Sequence, residues 1–149
     1  MYKVTKEFHF EMAHCLDGHD RGCNNVHGHS YKLEVTLGID NLIPIGPAKG
    51  MVMDFGWLKN DINTMIVDHF DHTFAYDTHN KNECKIANLL TKLKKKTLGL
   101  PFRTTCENMT EWIARRIADF YDSQLIDLKY IKVKLWETRD SYAEVEYDI

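Results

Sequence analysis

The stretch HGHSYKLEVTL, residues 27–37, alternates apolar with polar side chains and places both of its histidines on the apolar face. A period of two residues is typical of a β-strand with one buried face. The stretch FHFEMAH, residues 8–14, alternates in the same way and ends in a histidine on its apolar face. The sequence therefore predicts one strand over residues 3–14 and, after a loop at residues 16–25, a second strand that runs to about residue 39.

Helices are predicted in the middle of the chain. Asp54 is a suitable N-cap for a helix that ends near residues 68–72. Apolar spacing predicts a shorter helix over residues 83–97. A stronger helix follows Thr104, which has capping-box spacing to Glu107.

Two further alternating stretches, residues 131–137 and 143–149, predict strands that close the chain. The resulting order is two strands, two helices with an extra short helix between them, and two strands. This order predicts an α+β fold in which an antiparallel sheet carries its helices on one face. The length of 149 residues suits a single domain, residues 1–149.

The composition excludes several classes of protein. With 44% hydrophobic residues and a net charge of -3, the chain is typical of a globular protein and not of a polycation. The basic cluster at residues 92–96 lacks interleaved aromatic residues, so it predicts a solvated helix face and no nucleic-acid partner. No apolar run reaches the roughly 18 residues that cross a bilayer, and the first ten residues lack a secretory pattern. We therefore expect a cytoplasmic protein with reduced cysteines and no membrane partner.

Three histidines are predicted to share the inward face of the first two strands: His14, His27 and His29. Neutral imidazole is a good ligand for Zn²⁺, and three protein ligands leave a fourth position for water or substrate. Gly28 between the last two leaves room for close approach. The alternative is three hydrogen-bonded core histidines, and the same ligand set also suits iron and other divalent ions. The remaining histidines outside the DH motifs are expected at the surface: His9, His19 and His79.

Cys23 lies four residues before His27, on the loop that leads into the predicted metal site. A thiol near a dication and histidines has raised acidity, and its thiolate is a competent base or nucleophile. Direct coordination of the metal is the alternative role. The other cysteines are expected to be small buried hydrophobic residues: Cys15, Cys84 and Cys106.

Two neighbouring pairs could supply a carboxylate-oriented imidazole for proton transfer. They are Asp71 with His72 and, one turn earlier, Asp68 with His69. His69 falls on the apolar stripe of its predicted helix, which favours a packing role for it.

Glu137 is an acidic residue at an apolar-facing strand position. A buried carboxylate requires a partner, so it either pairs with a cation at the strand end or awaits a ligand with paired N–H donors. The capping-box spacing of Glu107 favours a role as the capping partner of Thr104.

The chain resembles the family of 6-pyruvoyl-tetrahydropterin and bacterial 6-carboxy-tetrahydropterin synthases. The resemblance covers nearly the whole length and rests on six motifs in order: FHFEMAH, CNNVHGHSY, GMVMDFGWLK, FDH, TCEN and LWET. It implies the tunnelling fold, with a four-stranded antiparallel sheet in each protomer. It also implies a homohexamer of two stacked trimers with active sites at subunit interfaces.

The resemblance also implies the role of each motif residue. The three strand histidines would hold zinc, Cys23 would be the base, and Asp71 with His72 would relay protons. Glu137 would anchor the pterin ring, with Thr105 and Glu107 nearby. The implied substrate is 7,8-dihydroneopterin triphosphate.

Three residues separate Cys23 from the His-Gly-His motif. This interval resembles the 6-carboxy enzymes, which release acetaldehyde and triphosphate and feed 7-deazaguanine and queuosine synthesis. The alternatives are a pyruvoyl-forming enzyme, a dihydroneopterin side-chain aldolase, a non-catalytic pterin or zinc binder, and a structural zinc domain. The chain departs from the compact family pattern at residues 40–50 and 75–103, and both departures bear on substrate selectivity.

Overall fold

The structure is a computed structural model, and it describes residues 1–124 and 126–149. Strands form the two ends of the chain, and helices alternate with two short strands in its middle. The strands are β1 (Tyr2–His14), β2 (His27–Ile39), β3 (Thr73–Asp77), β4 (Thr97–Leu100), β5 (Tyr130–Trp136) and β6 (Tyr142–Asp148). The α-helices are α1 (Phe55–Ile62), α2 (Asp68–Phe70), α3 (Lys81–Lys92) and α4 (Cys106–Ser123).

The strands form one mixed sheet in the order β4-β3-β1-β2-β5-β6. Its four long strands are antiparallel, as predicted, whereas β3 pairs parallel with both β1 and β4. The α+β class is therefore confirmed, but the prediction of a four-stranded, purely antiparallel sheet is wrong. The two missed strands are short, and the chain between β3 and β4 crosses over through α3.

The main core lies between the sheet and two of the helices. Alternate residues of the long strands, such as Phe10 and Leu33, pack with α1 and α4 residues such as Leu58 and Ile113. α3 lies elsewhere: Ala87 packs with Cys15 and Phe74 in a second, smaller cluster. The register pairs Ala13 with Phe74, and Ala13 alternates with the inward-facing residues of β1. The prediction of helices on one face is therefore wrong, because α3 covers the opposite face beside β3.

The helix after Asp54 begins and ends where the sequence predicts. Asp54 is its N-cap and accepts hydrogen bonds from two backbone N–H groups, and α2 ends at Phe70. Between α1 and α2, residues 63–67 form a π-helical turn. A π turn holds one residue more than an α turn, so the buried stripe shifts by one position. Phe70 is buried and His69 is exposed, which makes the packing role predicted for His69 wrong.

Two other helix predictions are corrected in detail. α3 spans Lys81–Lys92, whereas residues 97–100, at the end of the predicted helix and beyond it, form β4. The N-cap of α4 is Thr105, whose hydroxyl accepts from the Asn108 N–H. Thr104 is buried instead, so the predicted capping box with Glu107 does not form. No helix in the described part of the chain has the length and hydropathy to cross a membrane.

Candidate active site

Three histidines meet where β1 ends and β2 begins. The register pairs His14 directly with His27, and His29 with Met12, one step further along the same face. This face continues into the core through Phe10 and Tyr31, whose rings stack. Side-chain parity on two paired strands therefore brings the three rings together, as the alternation in the sequence predicts.

The three imidazoles are arranged as metal ligands. One nitrogen from each ring lies within 4.8 Å of the others. All three Nε2 atoms are buried without a hydrogen-bond partner. His14 Nδ1 donates to the carbonyl oxygen of Thr104 at 2.9 Å, and His27 Nδ1 donates to that of Asn25 at 2.7 Å. Because a carbonyl only accepts, Nδ1 of these two rings carries the proton and Nε2 presents its lone pair, which fits a bound divalent cation.

The surroundings favour the neutral form of two of these rings, His14 and His29. Burial, together with the nearby His27 and His29, lowers the pKa of His14 from 6.5 to about 4, against an opposing effect of the Thr104 carbonyl. Burial also lowers the pKa of His29, although the Glu137 carboxylate raises it in part. Neutral imidazole is the form that binds metal, so the site is ready for an ion at neutral pH.

We expect the metal-free protein to lose stability as the pH falls from 6.5 to about 4. The folded protein holds His14 with a lowered pKa, so the unfolded chain binds the proton first and acid favours unfolding. The loss from this ring is on the order of 3 kcal/mol, measured by urea unfolding at several pH values. His14→Gln should show a shallower pH dependence, and an equally steep one would contradict this assignment. His9→Gln, at an exposed ring, serves as the control.

A carboxylate borders the histidine cluster. Glu137 Oε1 lies 3.8 Å from His14 Nε2 and 3.9 Å from His29 Nε2. Tyr31 donates its hydroxyl to the same oxygen at 3.3 Å. Burial and the Glu137 charge raise the pKa of Tyr31, so it remains a donor. Among the described residues, no lysine or arginine forms a salt bridge with Glu137, which favours a ligand-binding role over a strand-end ion pair.

Cys23 lies in a short 3-10 turn, Gly22–Asn24, and is half-buried. The Leu16 N–H donates to its carbonyl oxygen at 2.8 Å, so the turn lies beside the end of β1, two residues after His14. The Cys23 thiol is not among the nitrogen and sulfur atoms that lie within 4.8 Å of one another. The geometry therefore favours the base over the alternative of a metal ligand.

The other three cysteines differ in burial. Cys15 and Cys106 are buried, as predicted, and burial raises the pKa of each thiol to about 11. Cys84 is only half-buried, and its thiol lies within hydrogen-bonding distance of the Thr78 carbonyl.

The Asp71 and His72 side chains are paired. His72 Nδ1 lies 2.9 Å from Asp71 Oδ2, while Asp71 Oδ1 accepts the Glu11 N–H at 2.9 Å. That hydrogen bond, with smaller contributions from His72 and Lys96, lowers the pKa of Asp71. The structure describes no such bond between Asp68 and His69, which are both exposed. The geometry therefore favours Asp71 with His72 as the oriented pair.

This pair and the histidine cluster open on opposite faces of the sheet. His72 is 76% exposed and lines a groove of about 600 Å³ together with Glu11, Ser30 and Lys96. Glu11 and Ser30 are opposite each other in the register, where Met12 and His29 form the next pair. Successive side chains on a strand point to opposite faces. Within one chain, the oriented pair therefore faces away from the three imidazoles, although His29 also contributes to the lining of the groove.

Residues 3–148 match the family model described as 6-pyruvoyl tetrahydropterin synthase. The chain belongs to the 6-pyruvoyl tetrahydropterin synthase family. It is 47% identical over 146 residues to a 6-carboxy-5,6,7,8-tetrahydropterin synthase of Haemophilus influenzae, covering 98% of this chain and 99% of that one. It is 31% identical to the enzyme of the same name from Aquifex aeolicus, covering 96% of each chain. The crystal structure of a 6-pyruvoyl tetrahydropterin synthase from Plasmodium vivax has the same fold, with a TM-score of 0.71 at 17% identity, covering 99% of this chain and 98% of that one.

The family's TCEN motif begins at the N-cap of α4. Thr105 is half-buried and caps the helix, whereas Glu107 is exposed in the first turn. These two residues lie directly after Thr104, whose carbonyl orients His14. The start of α4 is therefore adjacent to the histidine cluster.

Sequence reasoning missed two residues that shape the site, Thr104 and Tyr31. Thr104 orients His14 through its carbonyl oxygen, and its hydroxyl lies 3.4 Å from the same ring nitrogen. Backbone contacts of this kind leave no signal in a sequence. Tyr31 does continue the alternation of His27 and His29, so its position beside them was predictable although its bond to Glu137 was not.

Proposed function

We propose that this protein is a 6-carboxy-5,6,7,8-tetrahydropterin synthase. It converts 7,8-dihydroneopterin triphosphate and one water to 6-carboxy-tetrahydropterin, and releases acetaldehyde and triphosphate, in the route to 7-deazaguanine and queuosine. The observation that carries the proposal is the set of three buried imidazole Nε2 atoms without partners beside Glu137. The names of the relatives support the choice of product, as does the interval of three residues between Cys23 and the His-Gly-His motif.

The histidines hold one divalent ion, which we assign as zinc. Three imidazole ligands suit zinc and leave a coordination position for the substrate. When bound, the ion is a Lewis acid that polarises the oxygens of the substrate side chain and acidifies the adjoining C–H. Thr104 and Asn25 keep two of the rings in the tautomer that ligation requires.

Cys23 removes a proton from the side chain of the bound pterin. Its location on the loop between β1 and β2, where the Leu16 N–H donates to its carbonyl oxygen, supports this role. A second proton transfer falls to His72: Asp71 holds the Nδ1 proton of its ring, so Nε2 is free to exchange a proton with a substrate hydroxyl.

The active site is shared between two copies of the chain. In one chain, the histidine cluster and His72 lie on opposite faces of the sheet. His72 therefore acts at the histidine cluster of a neighbouring copy. This requirement calls for an oligomer with each active site at an interface, and the family resemblance makes that oligomer a hexamer of two trimers.

Glu137 anchors the pterin ring. A carboxylate accepts two adjacent N–H groups well, and the pterin ring offers such a pair. The side chain is 27% exposed, so a ligand can reach the oxygen that Tyr31 leaves free. Thr105 and Glu107, at the start of α4, complete the surroundings of the ring.

We expect Glu137→Gln to raise the KM for the pterin substrate by about 10- to 100-fold. The amide replaces one acceptor with an N–H₂ group that faces a donor of the ligand, and a hydrogen bond to a charged group is worth roughly 1.5–3 kcal/mol. Initial rates at varied substrate concentration measure the effect. Glu7→Gln, an exposed glutamate of β1, is the control. An unchanged KM in the Glu137 variant would assign the pterin anchor to another residue.

The function is tested by incubating the metal-loaded protein with 7,8-dihydroneopterin triphosphate and identifying the products. Acetaldehyde and 6-carboxy-tetrahydropterin are expected. A 6-pyruvoyl product without acetaldehyde would favour a pyruvoyl-forming enzyme, and a released two-carbon aldehyde that still carries the triphosphate would favour a side-chain aldolase. Binding without turnover would leave a pterin binder. Each of these three results would contradict the proposal.

A further inference from the structure

The loop that carries Cys23 is attached to the rest of the protein through its first residues. The Leu16 N–H donates to the Cys23 carbonyl at 2.8 Å, so the position of Cys23 follows that of Leu16. The 3-10 turn around Cys23 has no side-chain cap, and Asn24 and Asn25 are exposed. The turn is held by this bond from Leu16, by the Gly18 N–H, which donates to Asn24 Oδ1 at 2.8 Å, and by the Asn25 carbonyl, which accepts from His27. The first two of these contacts depend on the position of residues 16–18.

Glu83 of α3 contacts residue 17, although it lies far from the histidine cluster in sequence. It is only 1% exposed. Its Oε1 accepts the Asp17 N–H at 3.2 Å, and its Oε2 accepts the Asp77 N–H at the end of β3 at 2.8 Å. The described residues supply no cation to pair with it. A buried carboxylate without a counter-ion is costly, and here both oxygens are used to join two separate backbone segments.

Further side chains bind the backbone of residues 16 and 17 and the carboxylate of Asp17. Arg103 donates to the carbonyl oxygens of Leu16 and Asp17 at 3.4 and 3.2 Å. The Asp17 carboxylate accepts from the side-chain amides of Asn80 and Asn82 at 3.1 and 3.0 Å. Asp17 is therefore fixed at its N–H, its carbonyl and its side chain, and every one of these partners lies in residues 80–103.

We propose that Glu83 is a positioning residue: through Asp17 and Leu16 it fixes the Cys23 thiol relative to the histidine cluster. The inference rests on the proposed function of Cys23. It assigns a task to the segment from Ala75 to Arg103. α3 and its N-cap support the loop that carries Cys23, and Glu83 is the buried one of their attachments.

The test compares Glu83→Gln with the wild-type holoenzyme. An amide offers one acceptor and turns its N–H₂ group toward the second backbone N–H, so one of the two segments is released. A displacement of about 1 Å costs up to roughly 100-fold in rate. We expect kcat to fall about 10- to 100-fold, with KM and metal content within about twofold of wild type. Leu98→Ala, which weakens packing in β4 without touching Asp17, is the matched control and should keep the wild-type kcat.

A second readout follows the thiol itself. The rate of Cys23 alkylation by iodoacetamide is measured against pH by peptide mass spectrometry. The pKa of Cys15 is raised to about 11 by its burial and then by Glu83 and Asp17, so Cys15 reacts slowly near neutral pH. We expect the midpoint of the Cys23 profile to move in Glu83→Gln and to stay unchanged in Leu98→Ala. This readout needs no turnover, so it tests the positioning role even where the wild-type protein makes no acetaldehyde.

A folded Glu83→Gln protein with the wild-type kcat and the wild-type alkylation profile would overturn the proposal. Should that variant not fold, Arg103→Met carries the same test, because Arg103 is exposed and holds the same peptide. Its kcat and its Cys23 profile should change in the same way. Wild-type values for both would equally overturn the proposal.

Discussion

Replacing Cys23 with alanine is expected to lower kcat by about 10³-fold while the protein keeps its metal. A positioned acid or base contributes about 10²- to 10⁴-fold to a rate, and the other buried thiols cannot replace this one because burial raises their pKa to about 11. Metal content should stay at the wild-type level, since the three imidazoles converge without the thiol. Acetaldehyde formation and metal analysis on the same sample measure both quantities.

Cys84→Ala is the matched control for this experiment, since Cys84 is half-buried like Cys23 but lies at the start of α3. It should retain the wild-type rate. Unchanged turnover in Cys23→Ala with metal still bound would remove Cys23 from the mechanism. Loss of the metal together with activity would instead make Cys23 a ligand.

Mixing two inactive variants is expected to restore activity when one lacks Cys23 and the other lacks His72. In the proposed shared site, Cys23 comes from one copy and His72 from another, because His72 faces away from the three imidazoles of its own chain. When equal amounts of Cys23→Ala and His72→Ala reassemble at random, about half of the sites receive an intact Cys23 and about half an intact His72. About one quarter of the sites therefore contain both functional residues. The mixture should recover about a quarter of the wild-type acetaldehyde rate after dissociation and reassociation.

The control mixture combines Cys23→Ala with His27→Ala. In the proposed site these two residues come from the same chain, since the turn that carries Cys23 leads directly into His27. No mixed site therefore contains both functional residues, and activity should not return. Failure of the Cys23 and His72 mixture to recover, although the copies exchange, would show that one chain supplies the complete site.

The central strand pair and its histidines were predictable because the information is local. A period of two residues fixes which side chains share a face, and one apolar face fixes which side is buried. His14, His27 and His29 follow from that rule alone, and the register of β1 with β2 agrees with it. The family motifs then supplied roles for Cys23 and Glu137 that alternation could not.

The features of the fold that the sequence did not predict depend on tertiary contacts. β3 has a fully buried run, Thr73–Ala75, instead of an alternation, and it pairs in parallel with strands distant in the chain. The π-helical turn before Asp68 changed which residues are buried without any Gly or Pro to mark it. Thr104 and Thr105 have the same intrinsic preference for the N-cap. Thr105 is the cap because Thr104 is buried against His14.

The account depends most on three imidazoles that hold one divalent ion with a coordination position left open. Zinc K-edge X-ray absorption on the reconstituted protein tests this directly. We expect three imidazole nitrogens at about 2.0–2.1 Å and one further oxygen or nitrogen ligand, with no sulfur. A sulfur ligand at about 2.3 Å, or fewer than three imidazoles, would contradict it.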